Sequence, residues 1–154
     1  MKCKECGAEL PGEETCLDRF GALLAVERDE EGNLTEAFNV HGLTVMTFYL
    51  QHAGGSGYTK RWMLESAERA MRQIFEEGRE QFDILPVGER ATRQKAATTA
   101  KSAPGAHDPI TTIVGPLPGE LTIATLDPAN LSGHTKRVMA WARSVAEHRV
   151  LKSV

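Results

Sequence analysis

The sequence predicts a mainly α fold: a helical bundle with an N-terminal zinc knuckle and a small C-terminal β-hairpin. Three observations predict it. Apolar residues recur at helical spacing in four segments, Cys3-x-x-Cys6 is followed by Cys16 near the start of the chain, and two short β-type runs flank a Gly-Pro-rich turn late in it. At 154 residues the chain is long enough for one domain with its own core, so 1–154 reads as a single domain. An apolar share of 41% and a charged share of 25% are those of a globular chain rather than a disordered one.

The elements follow in order. Gly7 comes directly after the second cysteine, where a knuckle commonly needs positive φ, and Pro11-Gly12 marks a turn. Thr15 and Asp18 form a helix start of the capping-box type, and Phe20, Leu23, Leu24 and Glu27 carry that helix to about Arg28. An acidic loop, 29–35, leads to a second helix from about Ala37 to Gln51. Val40, Leu43, Thr44, Thr47 and Leu50 mark one stripe of it, and His41, Val45, Phe48 and His52 mark another. Two stripes imply burial on more than one side. Residues 1–56 thus form the knuckle plus a helical hairpin.

The glycine-rich segment 54–57 stops the second helix, and Thr59 can cap a third, with Met63, Ala67, Ala70, Met71 and Ile74 facing inward. Residues 88–109 hold few large apolar side chains and read as a flexible linker. Within 110–154, the runs 110–114 and 121–126 around Gly115-Pro116-Leu117-Pro118-Gly119 suggest the hairpin. A closing helix from about Ser132 shows Val138, Trp141, Ala142 and Val145 on one stripe.

The net charge of −3 gives no global attraction to nucleic acid or to an anionic membrane. No run approaches the roughly 18 apolar residues that a membrane span needs, and the first residues lack the apolar core of a secretory signal. Acidic residues crowd the first third and basic ones the last helix, which reads as a solvated face before a binding surface. Trp62, Trp141, Phe48 and Tyr49 read as core rather than as a base-stacking platform. The glycine run at 54–57 lacks the lysine and the preceding strand of a phosphate loop, and no serine sits in a nucleophile elbow.

The cysteines carry the chemistry. An odd count of three argues against a disulfide framework in a domain this large, and points to metal ligation in the reducing cytoplasm. Thiolates are soft ligands suited to Zn2+, and a structural zinc takes four donors in tetrahedral array. With the first two helices antiparallel, Cys16 at the start of one lies beside His52 at the end of the other. His41, eleven residues away on nearly the same face, lies roughly 16 Å up the helix and cannot share that ion. The expected metal ligands are therefore Cys3, Cys6, Cys16 and His52, with His41, His134 or an acidic side chain as alternatives for the fourth. His41 itself reads as a satisfied core residue near Glu27, or as part of a second site with Glu27 and His134.

These motifs resemble those of a bacterial family of small uncharacterised proteins. The matching residues are Met-x-Cys3-x-x-Cys6-Gly7, then Cys16, Phe20, Leu24 and Glu27, then His41-x-Leu43-Thr44-Val45 and Tyr49-Leu50-Gln51-His52, with Val138, Trp141, Ala142 and Val145 in the closing helix. The likeness covers about the first 75 residues and the last 35. Ala53 stands where that family usually has proline, and the Ala/Thr-rich stretch is not characteristic of it. The resemblance implies Cys3, Cys6, Cys16, His41 and His52 as signature residues and names no reaction.

Two function classes follow. One is a zinc-stabilised helical domain that binds a partner, a protein before nucleic acid. The other is a metal-dependent hydrolase or transferase whose ion keeps an open coordination position. Substrate, partner and oligomeric state are not encoded in these motifs, and no residue is assigned a catalytic role.

Overall fold

The computed structural model describes residues 2–28, 40–54, 59–78, 98–99, 101–108, 110 and 115–151. Four helices organise them: α1 (Cys16–Val26), α2 (His41–Gln51), α3 (Arg61–Phe75) and α4 (His134–Arg149), with a 3-10 turn at Ile123–Thr125. The fold is mainly α. Among the described residues no helix is long and apolar enough to cross a membrane.

The start of α1 is set locally. The Thr15 hydroxyl accepts from the Asp18 N–H at 3.1 Å, and the Asp18 carboxylate accepts from the Thr15 N–H at 2.9 Å, so two end-of-helix donors are satisfied reciprocally. Arg19 then grips Glu14 through two nitrogens and donates to the Leu126 carbonyl at 2.6 Å, tying this end of α1 to the chain after the 3-10 turn.

α2, α3 and α4 pack against one another as the central bundle. Their shared core includes the fully buried Phe48, Met71, Val138, Trp141 and Val145, with Ile123 and Leu126 filling in from the turn. The inward stripe expected of the last helix is the one observed. α1 runs antiparallel to α2 at a wider spacing, bridged by Phe20 stacked on Phe48 with ring centroids 4.0 Å apart. Stacking aromatic faces buries large areas without requiring close backbones.

Three local expectations change. Thr59 does not cap α3, whose N-cap is Lys60; the Thr59 hydroxyl donates instead to the His52 carbonyl at 3.2 Å, closing the end of α2. The run 121–126 is not a strand. The Thr122 hydroxyl accepts from the Ala124 N–H and folds the chain into the 3-10 turn, so Ile123 and Leu126 both point into the core. The other arm of the expected hairpin, 111–114, lies outside the described residues, as do 29–39 and most of 88–109. Ala106, from the end of that last segment, is buried, and its carbonyl accepts from the Trp62 N–H at 3.1 Å. The last helix begins at His134 rather than Ser132, because Gly133 at φ 69° turns the chain into it.

Candidate metal centre

The knuckle is built by short-range hydrogen bonds. Lys2 and Glu9 form an antiparallel bridge, the Cys3 N–H donates to the Ala8 carbonyl, and the Gly7 N–H returns to the Cys3 carbonyl, both at 2.9 Å. This tight reversal needs Gly7 at φ 81°, and a Cβ there would meet Pro116 at 3.0 Å. The Ala8 N–H points at the Cys6 sulfur at 3.4 Å, the kind of donor that stabilises a thiolate.

Cys16, the first residue of α1, and His52, the C-cap of α2, complete the cluster. The ligand atoms of Cys3, Cys6, Cys16 and His52 all lie within 4.8 Å of one another, and these four could hold a metal ion. Cys6 and Cys16 have their sulfurs 3.6 Å apart. Two thiolates bound at about 2.3 Å to a tetrahedral ion sit about 3.8 Å apart, so this pair is already at ligand spacing.

His52 is oriented for the role. Its Nδ1 lies 2.9 Å from the Phe48 carbonyl and its ring stacks on Phe48 with centroids 4.1 Å apart. A carbonyl can only accept, so Nδ1 carries the proton and the Nε2 lone pair is left to face the sulfurs. Nε2 is buried and has no hydrogen-bond partner, an arrangement that costs free energy unless a cation or donor meets it.

The electrostatics point the same way. The Cys6 thiol is drawn down to about 4, first by the hydrogen bond from Cys16 and further by His52 and the Ala8 N–H, against the opposing effect of burial. Cys16 is pushed up, first by holding the proton it donates to Cys6, then by burial and the neighbouring sulfurs. One proton thus holds two crowded sulfurs together. A dication at the same place would favour thiolates at both.

A groove of about 270 Å³ runs along the outer side of the knuckle, lined by Lys2, Cys3, Lys4, Leu10, Thr15 and Cys16 among others.

The other end of the α1–α2 pair holds a second polar cluster. Glu27, the C-cap of α1, has a fully buried carboxylate. Its Oε2 is 2.5 Å from His41 Nδ1, and its Oε1 accepts from the Thr44 hydroxyl at 2.8 Å. His134 Nε2 stands 3.5 Å from Oε1. Burial opposes the charge, but His134, His41 and Thr44 outweigh it and hold Glu27 below the ordinary carboxylate range. His41 and His134 are each the first residue of a helix, where the positive pole also favours an anion.

The structure therefore brings Cys3, Cys6, Cys16 and His52 together, and places His41 and His134 with Glu27 instead. Sequence reasoning missed Gln51. Its side chain accepts from the Trp141 indole N–H at 2.8 Å and donates to the Leu121 carbonyl at 2.7 Å, linking α2, α4 and the turn segment in the core. The local signals were its position next to His52 and its place in the Tyr49-Leu50-Gln51-His52 motif.

No curated protein and no solved structure matches the chain. A family model does: residues 1–149 match the family of unknown function DUF5946, and the chain belongs to that family.

Proposed function

We propose that this chain is a zinc-stabilised helical domain that works by binding a protein partner in the bacterial cytoplasm. The observation that carries the reading is the convergence of three sulfurs and a His52 ring nitrogen within 4.8 Å, with Nδ1 already engaged by the Phe48 carbonyl. Sulfur-rich donors favour zinc over magnesium or calcium, and four of them close a tetrahedral shell. A closed shell stabilises structure and leaves no position for substrate. The odd count of three cysteines favours metal ligation in a reducing compartment over a disulfide framework, and the small negative net charge favours a protein partner over nucleic acid.

The test is the metal itself. Protein produced with zinc available is expected to carry one zinc per chain bound by three sulfurs and one nitrogen, as read by elemental analysis and X-ray absorption. His52→Ala and Cys6→Ser should each lower zinc occupancy. Cysteines that bind no zinc in the reduced, folded wild-type protein would sink the proposal.

A second reading is favoured by the groove beside Cys3 and Cys16: a metal-dependent hydrolase or transferase in which the ion keeps an open position towards that groove. X-ray absorption separates the two. Four protein donors support the scaffold; three protein donors and a solvent oxygen support the catalyst.

A further inference from the structure

We propose that Cys6 and Cys16 are a reversible dithiol–disulfide pair: a peroxide joins their sulfurs, expels the zinc ion and releases α2 from the centre. This switch rests on the zinc reading of the cysteine centre and gives that centre a regulation.

Spacing and access select the pair. The two sulfurs are 3.6 Å apart, and both residues are buried. A disulfide bond is about 2.05 Å long, so the sulfurs must close by about 1.6 Å once no ion stands between them. The groove of about 270 Å³ beside the knuckle gives the way in, for Cys3 and Cys16 line it and Cys6 does not. Hydrogen peroxide is small enough to enter, and Cys16 is a sulfur it meets there with a second thiolate in contact behind it. Cys3 is reached from the same groove. All three sulfurs lie within 4.8 Å of one another, so oxidation that begins at Cys3 passes to the pair at 3.6 Å by thiol–disulfide exchange.

The electrons balance with peroxide as the oxidant. The Cys16 thiolate attacks one peroxide oxygen, the O–O bond breaks, and hydroxide leaves behind a sulfenic acid. The Cys6 thiolate then attacks that sulfur, the S–S bond forms, and a second hydroxide leaves. The two thiolates lose two electrons between them and the peroxide gains both. A disulfide is a poor ligand, so the ion keeps only Cys3 and His52 and is lost.

The product tethers different elements. Cys6 lies in the knuckle and Cys16 opens α1, whereas His52, the C-cap of α2, is the one ligand of the four carried by that helix. The disulfide therefore holds the knuckle on α1 and gives up the link to α2. It also leaves His52 Nε2 buried with no cation to meet it, a cost that favours opening this end of the α1–α2 pair. The Phe20–Phe48 stack beside His52 is the apolar surface that such opening bares.

Hydrogen peroxide titration of the zinc-loaded full chain tests this, with released zinc read by a chromogenic chelator and thiols mapped by mass spectrometry. Trypsin cuts after Lys4 and Arg19 but nowhere between them, so Cys6 and Cys16 share one peptide, 5–19, and Cys3 lies on another. The expected result is one zinc released and two thiols lost per chain, with peptide 5–19 two hydrogens lighter and Cys3 still open to alkylation. Dithiothreitol should restore both thiols and, with zinc supplied, the bound metal. Zinc release with Cys3 in the disulfide, or with sulfinic acids that dithiothreitol does not reverse, overturns the switch and leaves the zinc reading standing. So does a chain that keeps its zinc and its thiols under peroxide that fully oxidises free cysteine. A chain that carries no zinc before peroxide is added fails the zinc reading itself, and the switch with it.

Discussion

Single buried side chains here each have two tasks, and the histidine at the end of α2 illustrates it. Its Nδ1 adds a second hydrogen bond to the Phe48 carbonyl, which already accepts from the His52 N–H, and that bond leaves Nε2 for the sulfurs. Gln51 next to it behaves similarly, serving one indole N–H and one backbone carbonyl in the core. Gln51→Leu leaves both without a partner, and a loss of about 1–3 kcal/mol in urea unfolding is expected. Glu27 gives a pH signature. Its folded value lies below the ordinary 4.5, so its contribution is present above the unfolded pKa and is lost as pH falls through the folded one. Stability of the wild type should therefore drop below about pH 4.5 more steeply than that of Glu27→Gln. Parallel acid profiles for the two proteins, measured by denaturant unfolding, would count against an ionised Glu27.

At the scale of elements, the knuckle and α1 are the most locally encoded parts of the molecule. Cys-x-x-Cys-Gly closes its own turn, and Thr15 with Asp18 starts α1 with no help from elsewhere. The knuckle's dependence on Gly7 is sharp. Gly7→Ala would force φ 81° on a residue with a Cβ and press that Cβ to 3.0 Å from Pro116. The strain of the left-handed conformation alone is about 1–2 kcal/mol, and weaker zinc retention against a competing chelator should accompany a lower melting temperature. The segment 121–126 is the contrary case. Its alternation of β-formers resembles a strand, yet the Thr122 hydroxyl accepts from the Ala124 N–H two residues on and Ser144 accepts the Leu121 N–H, so these donors are met without a pairing strand. Alternation shows which residues seek the core, and a 3-10 turn can bury Ile123 and Leu126 as well as a strand can.

For the whole molecule, the division of labour predicts how it comes apart. α2, α3 and α4 hold the continuous core, whereas α1 and the knuckle attach through Phe20, the Glu27 cluster, Arg19 and the cysteine centre. Metal binding in such knuckles contributes ~10 kcal/mol or more to local folding. Chelation is therefore expected to expose roughly the first twenty residues to protease while the three-helix core keeps its helical circular dichroism. Full protease resistance of the amino terminus after verified metal removal would contradict that attachment. What the sequence determined alone was whatever rests on near neighbours: the helical periodicity, the capping box and the knuckle turn. Only the tertiary structure decided that His134 faces Glu27, that Gln51 meets Trp141 across 90 positions of chain, and that 121–126 turns instead of pairing. The reason is physical. Local patterns record which side of an element is apolar, but the partner of a buried polar atom is set by which distant elements the packed core brings within hydrogen-bond reach.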